Sequence, residues 1–499
     1  MGISVEVHNL GPLESARIEL ADLNVLVGEN NTGKSFFATV LHRVAASADA
    51  SNAPARRDFD EIPDQFRDLI AKLLPLASSQ DQARLAKEFQ PDKSTMRWLE
   101  AVATDLLRSF GNEIRHGVAS AYGTTPSALR RRTLTGPAPD SFVRVAENED
   151  AMGMSWSVLV GFDSDDTYSE DIDSDGIEVA PPSVSAWLAQ LLDDGNLGFA
   201  MRFLSPERIG AEPEPADITN ACWRLLIAAG RAILLAGCPV EAVHLPAERG
   251  GIVQNGRVLV SRALRQMTHL PSRQPRDPHM TRTTIDLLGH VILTGTPSPA
   301  GTPGSELAGL AASFEQQLGA SIELEDEGWD IPAIIAVTPE GRFPLAQASS
   351  MLSELAPLLL VVKHRLASEH CLTIDEPEAH LHPEVQRQVA SFLAQLATVG
   401  TTVILTTHSN FFVGQLNNHI RAHALAQLPS PPDMLPTPSI DPADVRALWF
   451  SRGKGGCVAE SIAVDRSDGI NQGVFTGAMR EMHIETAGTI NPLLEVPVD

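Results

Sequence analysis

The chain has 499 residues, 43% of them hydrophobic, with a mean hydropathy of −0.04 and a formal net charge of −25. That length and balance predict a soluble protein with a sizeable core spread over two or three lobes, and they exclude a disordered or membrane-embedded polypeptide. A strongly acidic surface repels nucleic acid on average, so any such contact has to be local.

In chain order, the amino terminus has neither the basic stretch nor the apolar run of a signal peptide, and Glu6 stands where an acylation motif needs Ser or Thr. The longest apolar candidate, residues 225–238, is interrupted by Arg231 and is too short to span a bilayer, so we expect a cytoplasmic chain with no membrane partner. Residues 24–27 read as a short apolar strand and residues 36–44 as a helix, with Gly28-Glu29-Asn30-Asn31-Thr32-Gly33-Lys34-Ser35 between them. A strand that enters a Gly-rich turn and opens a helix aims backbone N–H groups at one point, which is how β- and γ-phosphates are held. In that pattern Lys34 neutralises phosphate oxygens and the Ser35 hydroxyl ligates Mg²⁺, with Gly28, Asn30, Asn31, Thr32, Gly33 and Phe36 as the other candidate nucleotide contacts.

The next stretch carries Pro54, Pro63, Pro75, Pro91, Pro126 and Pro137, which break any long heptad run and predict a compact fold. Helices are expected near residues 58–77, 80–119 and 183–203, and a small β element near 142–162 and 176–180. Between them, Asp171, Asp173, Asp175 and Gly176 copy half of a calcium loop, but Pro182 stands where the bidentate Glu belongs, so a solvated acidic tip is the better reading. Further helices are expected at 217–237 and 305–319. Residues 257–282 hold Arg257, Arg262, Arg265, Arg273, Arg276 and Arg282 against one acid, Asp277; they could track a phosphate backbone, and a solvated face or an interface to an acidic partner are the alternatives.

Residues 371–374 read as a buried strand ending in adjacent carboxylates, Asp375 and Glu376. Asp375 is a candidate magnesium holder and Glu376 a candidate general base for an attacking water. Residues 401–407 form another apolar strand ending at His408, a candidate γ-phosphate sensor. A proline-rich connection at 429–444, a closing hairpin and a last helix at 473–486 complete the prediction. Four cysteines, Cys222, Cys238, Cys371 and Cys457, have no ligand spacing and read as reduced, buried thiols.

The order of phosphate loop, Asp375-Glu376-Pro377-Glu378-Ala379-His380-Leu381-His382-Pro383 and Thr407-His408-Ser409 resembles the ABC-type AAA ATPases of the OLD and RecF/SMC kind. Other matches are the hairpin from Val5 to Leu13, the run His244-Leu245-Pro246-Ala247-Glu248-Arg249, and the run from Pro344 to Leu355. The resemblance covers roughly residues 1–50 and 240–485. It implies an α/β fold: a P-loop ATPase head with a mixed sheet and flanking helices, built from residues 1–50 and 320–499. A compact, mainly helical insertion would fill 51–240, and an arm with the Arg-rich segment would fill 241–319. It implies ATP and Mg²⁺ as cofactors, and a head-to-tail dimer in which Ser349 and Ser350 reach the nucleotide of the second subunit. Met351 departs from the family pattern, which has glycine there, and this implies slow hydrolysis. No metal-nuclease constellation is visible, so the expected role resembles that of ATPase subunits in Septu- or PARIS-type anti-phage systems, which hold or release a separate effector, a nuclease or toxin. The alternatives are a DNA-repair or recombination ATPase acting directly on DNA, and an ATP-locked scaffold that does not hydrolyse.

Overall fold

The structure, a computed structural model, describes residues 2–48, 62–73, 88–130, 132–133, 136–137, 141–147, 155–162, 177–192, isolated positions between 218 and 239, 241–256, 282–292, 306–325, 332–428 and 437–471. It divides into two units, Met1–Leu20 with Thr39–Ala242, and Ala21–Ala38 with Val243–Asp499.

The first unit begins with the expected hairpin, β1 (Ile3–Leu10) and β2 (Leu13–Glu19). The next two elements, β3 (Leu23–Gly28) and the start of α1 (Lys34–Ser47), belong to the second unit. Then come α2 (Asp64–Leu73), α3 (Lys93–Ala121), β4 (Phe142–Glu147), β5 (Trp156–Gly161), β6 (Ile177–Ala180) and α4 (Val184–Leu191). Of the helix expected at 80–119, residues 80–87 lie outside the described residues, residues 88–92 are not helical, and α3 begins at Lys93. Pro91 disfavours helical backbone before it, and the Asp92 carboxylate accepts the Thr95 N–H at 2.7 Å as an N-cap.

The small β element is not isolated. Its strands pair antiparallel in the order β6-β5-β4-β1-β2. Val158, Val145, Val5 and Ile18 stand opposite one another in a buried row across four of them. Because side chains alternate with period two, a one-residue slip would turn this row to the other face, so the row fixes the register.

The second unit continues with β7 (Ala242–Leu245), α5 (Arg249–Gln254), α6 (Arg282–Ile292), α7 (Glu306–Leu318), β8 (Ser321–Glu325), β9 (Ala333–Thr338) and β10 (Gly341–Pro344). It closes with α8 (Ser350–His364), β11 (Cys371–Asp375), α9 (Pro383–Thr398), β12 (Thr402–Thr407), α10 (Asn410–Ala426), β13 (Val445–Arg452) and β14 (Cys457–Ile462). Its main sheet runs β14-β13-β3-β12-β11-β7. Neighbours along β13-β3-β12-β11 are parallel, and β14 is antiparallel to β13, so the sheet is mixed. Strands β3, β11 and β12 are buried along their whole length, as strands covered on both faces must be. A separate three-stranded antiparallel sheet, β8-β9-β10, leads into α8.

Helix α8 is more deeply placed than an apolar stripe would require. Every residue from Leu352 to Val362 is buried and the helix runs through Pro357, which fits a helix that is apolar all round. Phe314 of α7 stacks on Phe392 of α9, ring centroids 4.4 Å apart, within the same core. The expected last helix at 473–486, the acidic tip at 163–176 and residues 257–281, which carry five of the six clustered arginines, lie outside the described residues; of the expected helix at 217–237 only isolated positions are described.

Because Phe392 is 1% exposed and stacked, Phe392→Ala should destabilise the second unit by about 3–5 kcal/mol. Equilibrium denaturation followed by a probe in that unit checks this, and a loss below about 1 kcal/mol would contradict the packing described.

Candidate functional site

Parallel pairing brings three strand ends to one edge. Asp375 lies opposite Thr406, Thr407 opposite Val27, and Gly28 opposite Phe450, so β11, β12 and β3 end together. The loop after β3 and the N-terminus of α1 stand over that edge, the usual ligand position in open α/β sheets.

The loop is tightly shaped. Gly28 has φ +144°, and a Cβ there would lie 2.1 Å from the Phe450 carbonyl oxygen, so only glycine fits between β3 and β13. Asn31 and Gly33 also take positive φ, 59° and 90°, and Thr32 donates to the Glu29 carbonyl at 2.8 Å. Such alternation turns successive N–H groups inward as an anion-binding concavity. Lys34 is buried, and its ammonium donates to the carbonyls of Gly28 at 3.2 Å and Glu29 at 2.5 Å. Burial lowers its pKa to about 8, against the opposing pull of Glu376, Glu378 and Asp375.

The paired carboxylates separate into two environments. Asp375 is 4% exposed; one oxygen accepts the Thr406 hydroxyl at 3.0 Å and the other sits 3.1 Å from His244 Nε2. Glu376 leaves the strand with φ +44°, a conformation costing on the order of 1–3 kcal/mol for a non-glycine residue. Its N–H is held by both the carbonyl and the hydroxyl oxygen of Thr406, at 3.1 Å each. The turn swings the Glu376 carboxylate to within 3.6 Å of His408 Nε2. Burial and the charge of Lys34 push the His408 pKa down, and Glu376 opposes them.

A third carboxylate, Glu378, joins the two strand ends. It accepts the Thr407 hydroxyl at 2.6 Å and the His408 N–H at 2.8 Å, and burial pushes its pKa up against the Thr407 hydrogen bond.

Lys34, Asp375, Glu376 and His408 therefore share one crevice, and Ser35 follows Lys34 in the first turn of α1. Ser349 and Ser350 lie at the start of α8, and among the described residues no hydrogen bond joins them to Asp375, Glu376 or His408. The Ser349 hydroxyl accepts the Leu352 N–H at 3.3 Å as that helix's N-cap, and Met351 packs on the core. The sequence did not assign roles to Thr406, Thr407, Glu378, His244 or Arg249. Only their positions beside strand ends and carboxylates could have flagged them.

Residues 317–413 match the sequence profile described as the AAA ATPase domain. No curated protein matches the chain. Among solved structures, an SMC head bound to the C-terminal winged-helix domain of ScpA is 11% identical with a TM-score of 0.39, the alignment covering 93% of this chain and 98% of that one. The SMC head domain from Thermotoga maritima is 9% identical with a TM-score of 0.36, covering 93% and 100%. An SMC head with an extended coiled coil, bound to the C-terminal domain of ScpA derived from Pyrococcus furiosus, gives 11% and 0.35, covering 96% and 98%.

The Lys34 pKa has a consequence for stability. The folded value, about 8, lies below the ordinary 10.5, so between these values the unfolded chain binds more protons and stability rises with pH. Below pH 8 the buried charge is fully destabilising. Lys34→Met should therefore raise the melting temperature of the ligand-free protein at pH 7, and the gain should shrink as pH approaches 10. A pH-independent difference would show that the ammonium is not desolvated.

Proposed function

We propose that the chain binds ATP with Mg²⁺ and hydrolyses it. The observation that carries this reading is the convergence of a phosphate-loop lysine, two differently held carboxylates and a histidine from three distant segments on one strand edge. The fit to a polyphosphate is supported by the ammonium of Lys34, which donates to the Gly28 and Glu29 carbonyls of its own loop and feels the charges of Glu376, Glu378 and Asp375, and by the positive-φ turns of that loop. The fit to Mg²⁺ is supported by an all-oxygen donor set, the Ser35 hydroxyl and the Asp375 carboxylate, since this cation takes few protein ligands and keeps waters and phosphate oxygens for the rest. When bound, the ion would neutralise charge developing on the phosphates.

In this reading the chain's own groups divide the work. Asp375, fixed by Thr406 and His244, holds the ion, directly or through water. Glu376, aimed at His408, accepts a proton from the attacking water. His408, whose lowered pKa keeps its ring neutral near pH 7, can donate or accept at the γ-phosphate position. The 3.6 Å approach of Glu376 to His408 favours a hydrolysing site over an ATP-locked scaffold.

Beyond the chemistry, we read the protein as one partner of a gated assembly. A second copy would present Ser349 and Ser350, at the start of α8, to the bound nucleotide. A separate effector of the nuclease or toxin kind would be held or released with nucleotide state, as in anti-phage ATPase subunits; that part rests on the motif resemblance alone.

Glu376→Gln should keep ATP binding, lose hydrolysis by roughly two to four orders of magnitude, and accumulate a dimer or higher assembly with ATP in light scattering. Lys34→Ala should lose nucleotide binding. Hydrolysis at the parental rate in Glu376→Gln would remove Glu376 as the base.

A further inference from the structure

The segment that joins β7 to α5 touches both ends of the proposed machinery, and its centre is one side chain. Arg249 is 1% exposed, and its guanidinium donates to five carbonyl oxygens, one of them the nearby Pro246 O at 3.5 Å and the other four on distant residues. Nη1 reaches Asp375 O at 2.9 Å and Glu376 O at 3.4 Å; Nη2 reaches Glu376 O at 3.5 Å and Pro377 O at 3.4 Å; Nε reaches Glu354 O at 3.1 Å. The Glu354 carboxylate lies 3.8 Å from Nε and balances the charge.

These contacts fall on two elements. Asp375, Glu376 and Pro377 form the turn that carries the base, and Glu354 sits one turn into α8, the helix that begins at Ser349. A planar fork with five donors can satisfy carbonyls on both at once, and a single ammonium cannot. The same short segment makes two more ties. His244 Nε2 meets Asp375 Oδ2, and Gln254 donates to the Ser353 hydroxyl at 2.7 Å, which in turn donates to the Ser349 carbonyl at 3.1 Å. The approach of α5 to α8 is built in. A Cβ on Gly250 would stand 2.7 Å from Glu354 Oε1 and 3.1 Å from the Ser353 carbonyl oxygen, so the residue beside Arg249 has no side chain.

We propose that Arg249 is a positioning residue for hydrolysis: it fixes the backbone of the Asp375–Pro377 turn from behind and ties that turn to α8. The left-handed backbone at Glu376 is then held from two sides, by Thr406 on its N–H and by Arg249 on its carbonyl. A displacement of the α8 N-terminus reaches the base through one guanidinium, so occupation of the Ser349 end bears on the geometry of Glu376 in the same chain. Nucleotide affinity depends on the phosphate loop, which Arg249 does not touch. The proposal rests on the ATPase reading above.

The test uses the full-length chain. Arg249→Lys keeps the charge and loses the fork. We expect kcat for ATP to fall roughly 10- to 100-fold, the range seen when partners that orient a catalytic ligand are removed, with KM and the Kd for a fluorescent ATP analogue within about twofold of the parent. A parental kcat in a folded Arg249→Lys protein, or a change in KM alone, overturns the proposal. If that variant melts below the assay temperature, the comparison with the parent is made at a lower temperature at which circular dichroism shows both folded, and a parental kcat there is equally decisive against the role. A parent that binds ATP but never hydrolyses it would instead overturn the ATPase reading, an outcome the variant cannot mimic.

Discussion

The constraint on which everything else depends is the level ending of three buried parallel strands. β3, β12 and β11 are buried along their whole length, so they have no polar face to offer water, and the charged residues among them stand at a carboxyl end, Asp375 closing β11. Parallel pairing with fixed register then sets Gly28, Asp375 and Thr407 side by side. The shape of the phosphate loop follows from the same constraint, because β13 lies so close to Gly28 that its carbonyl excludes any side chain there.

The crevice is a charge arrangement waiting for a partner of mixed sign. Three carboxylates, Asp375, Glu376 and Glu378, face one ammonium, Lys34, and each is handled differently. Asp375 is buried and fully hydrogen-bonded, Glu378 is tied to the end of β12, and Glu376 is aimed outward at His408. A cation and a polyphosphate together satisfy such a set better than either alone, since each brings the charge the other half of the crevice lacks.

Much of this was legible beforehand for local reasons. The glycine–lysine–serine loop, the adjacent carboxylates and the histidine after a β-branched run announce themselves because each is a strand end with an unusual polar terminus. The closing hairpin over β13 and β14 was visible from its alternation. The pairing of β13 with β3 was not, because a parallel partner 422 residues away (Val445 opposite Leu23) leaves no local trace. The β element at 142–161 likewise looked self-contained, although β4 pairs with β1. Along α8, Ser353, Glu354 and Pro357 interrupt the apolar run, and in the fold these too are buried, Ser353 and Glu354 against α5.

By itself, then, the sequence determined which short segments are candidates for the proposed chemistry, because Gly-rich loops and carboxylate turns are local patterns of a few residues. Tertiary structure alone decided how those segments are held. Arg249 was only part of a matching run in the sequence, since four of the five carbonyls its guanidinium reaches belong to residues more than 100 positions away. The orienting roles of His244, Thr406 and Glu378 emerged in the same way. Hydrogen bonds from side chain to distant backbone depend on three-dimensional proximity and have no signature in residue spacing, which is the physical reason the frame of the site could not be read before its fold.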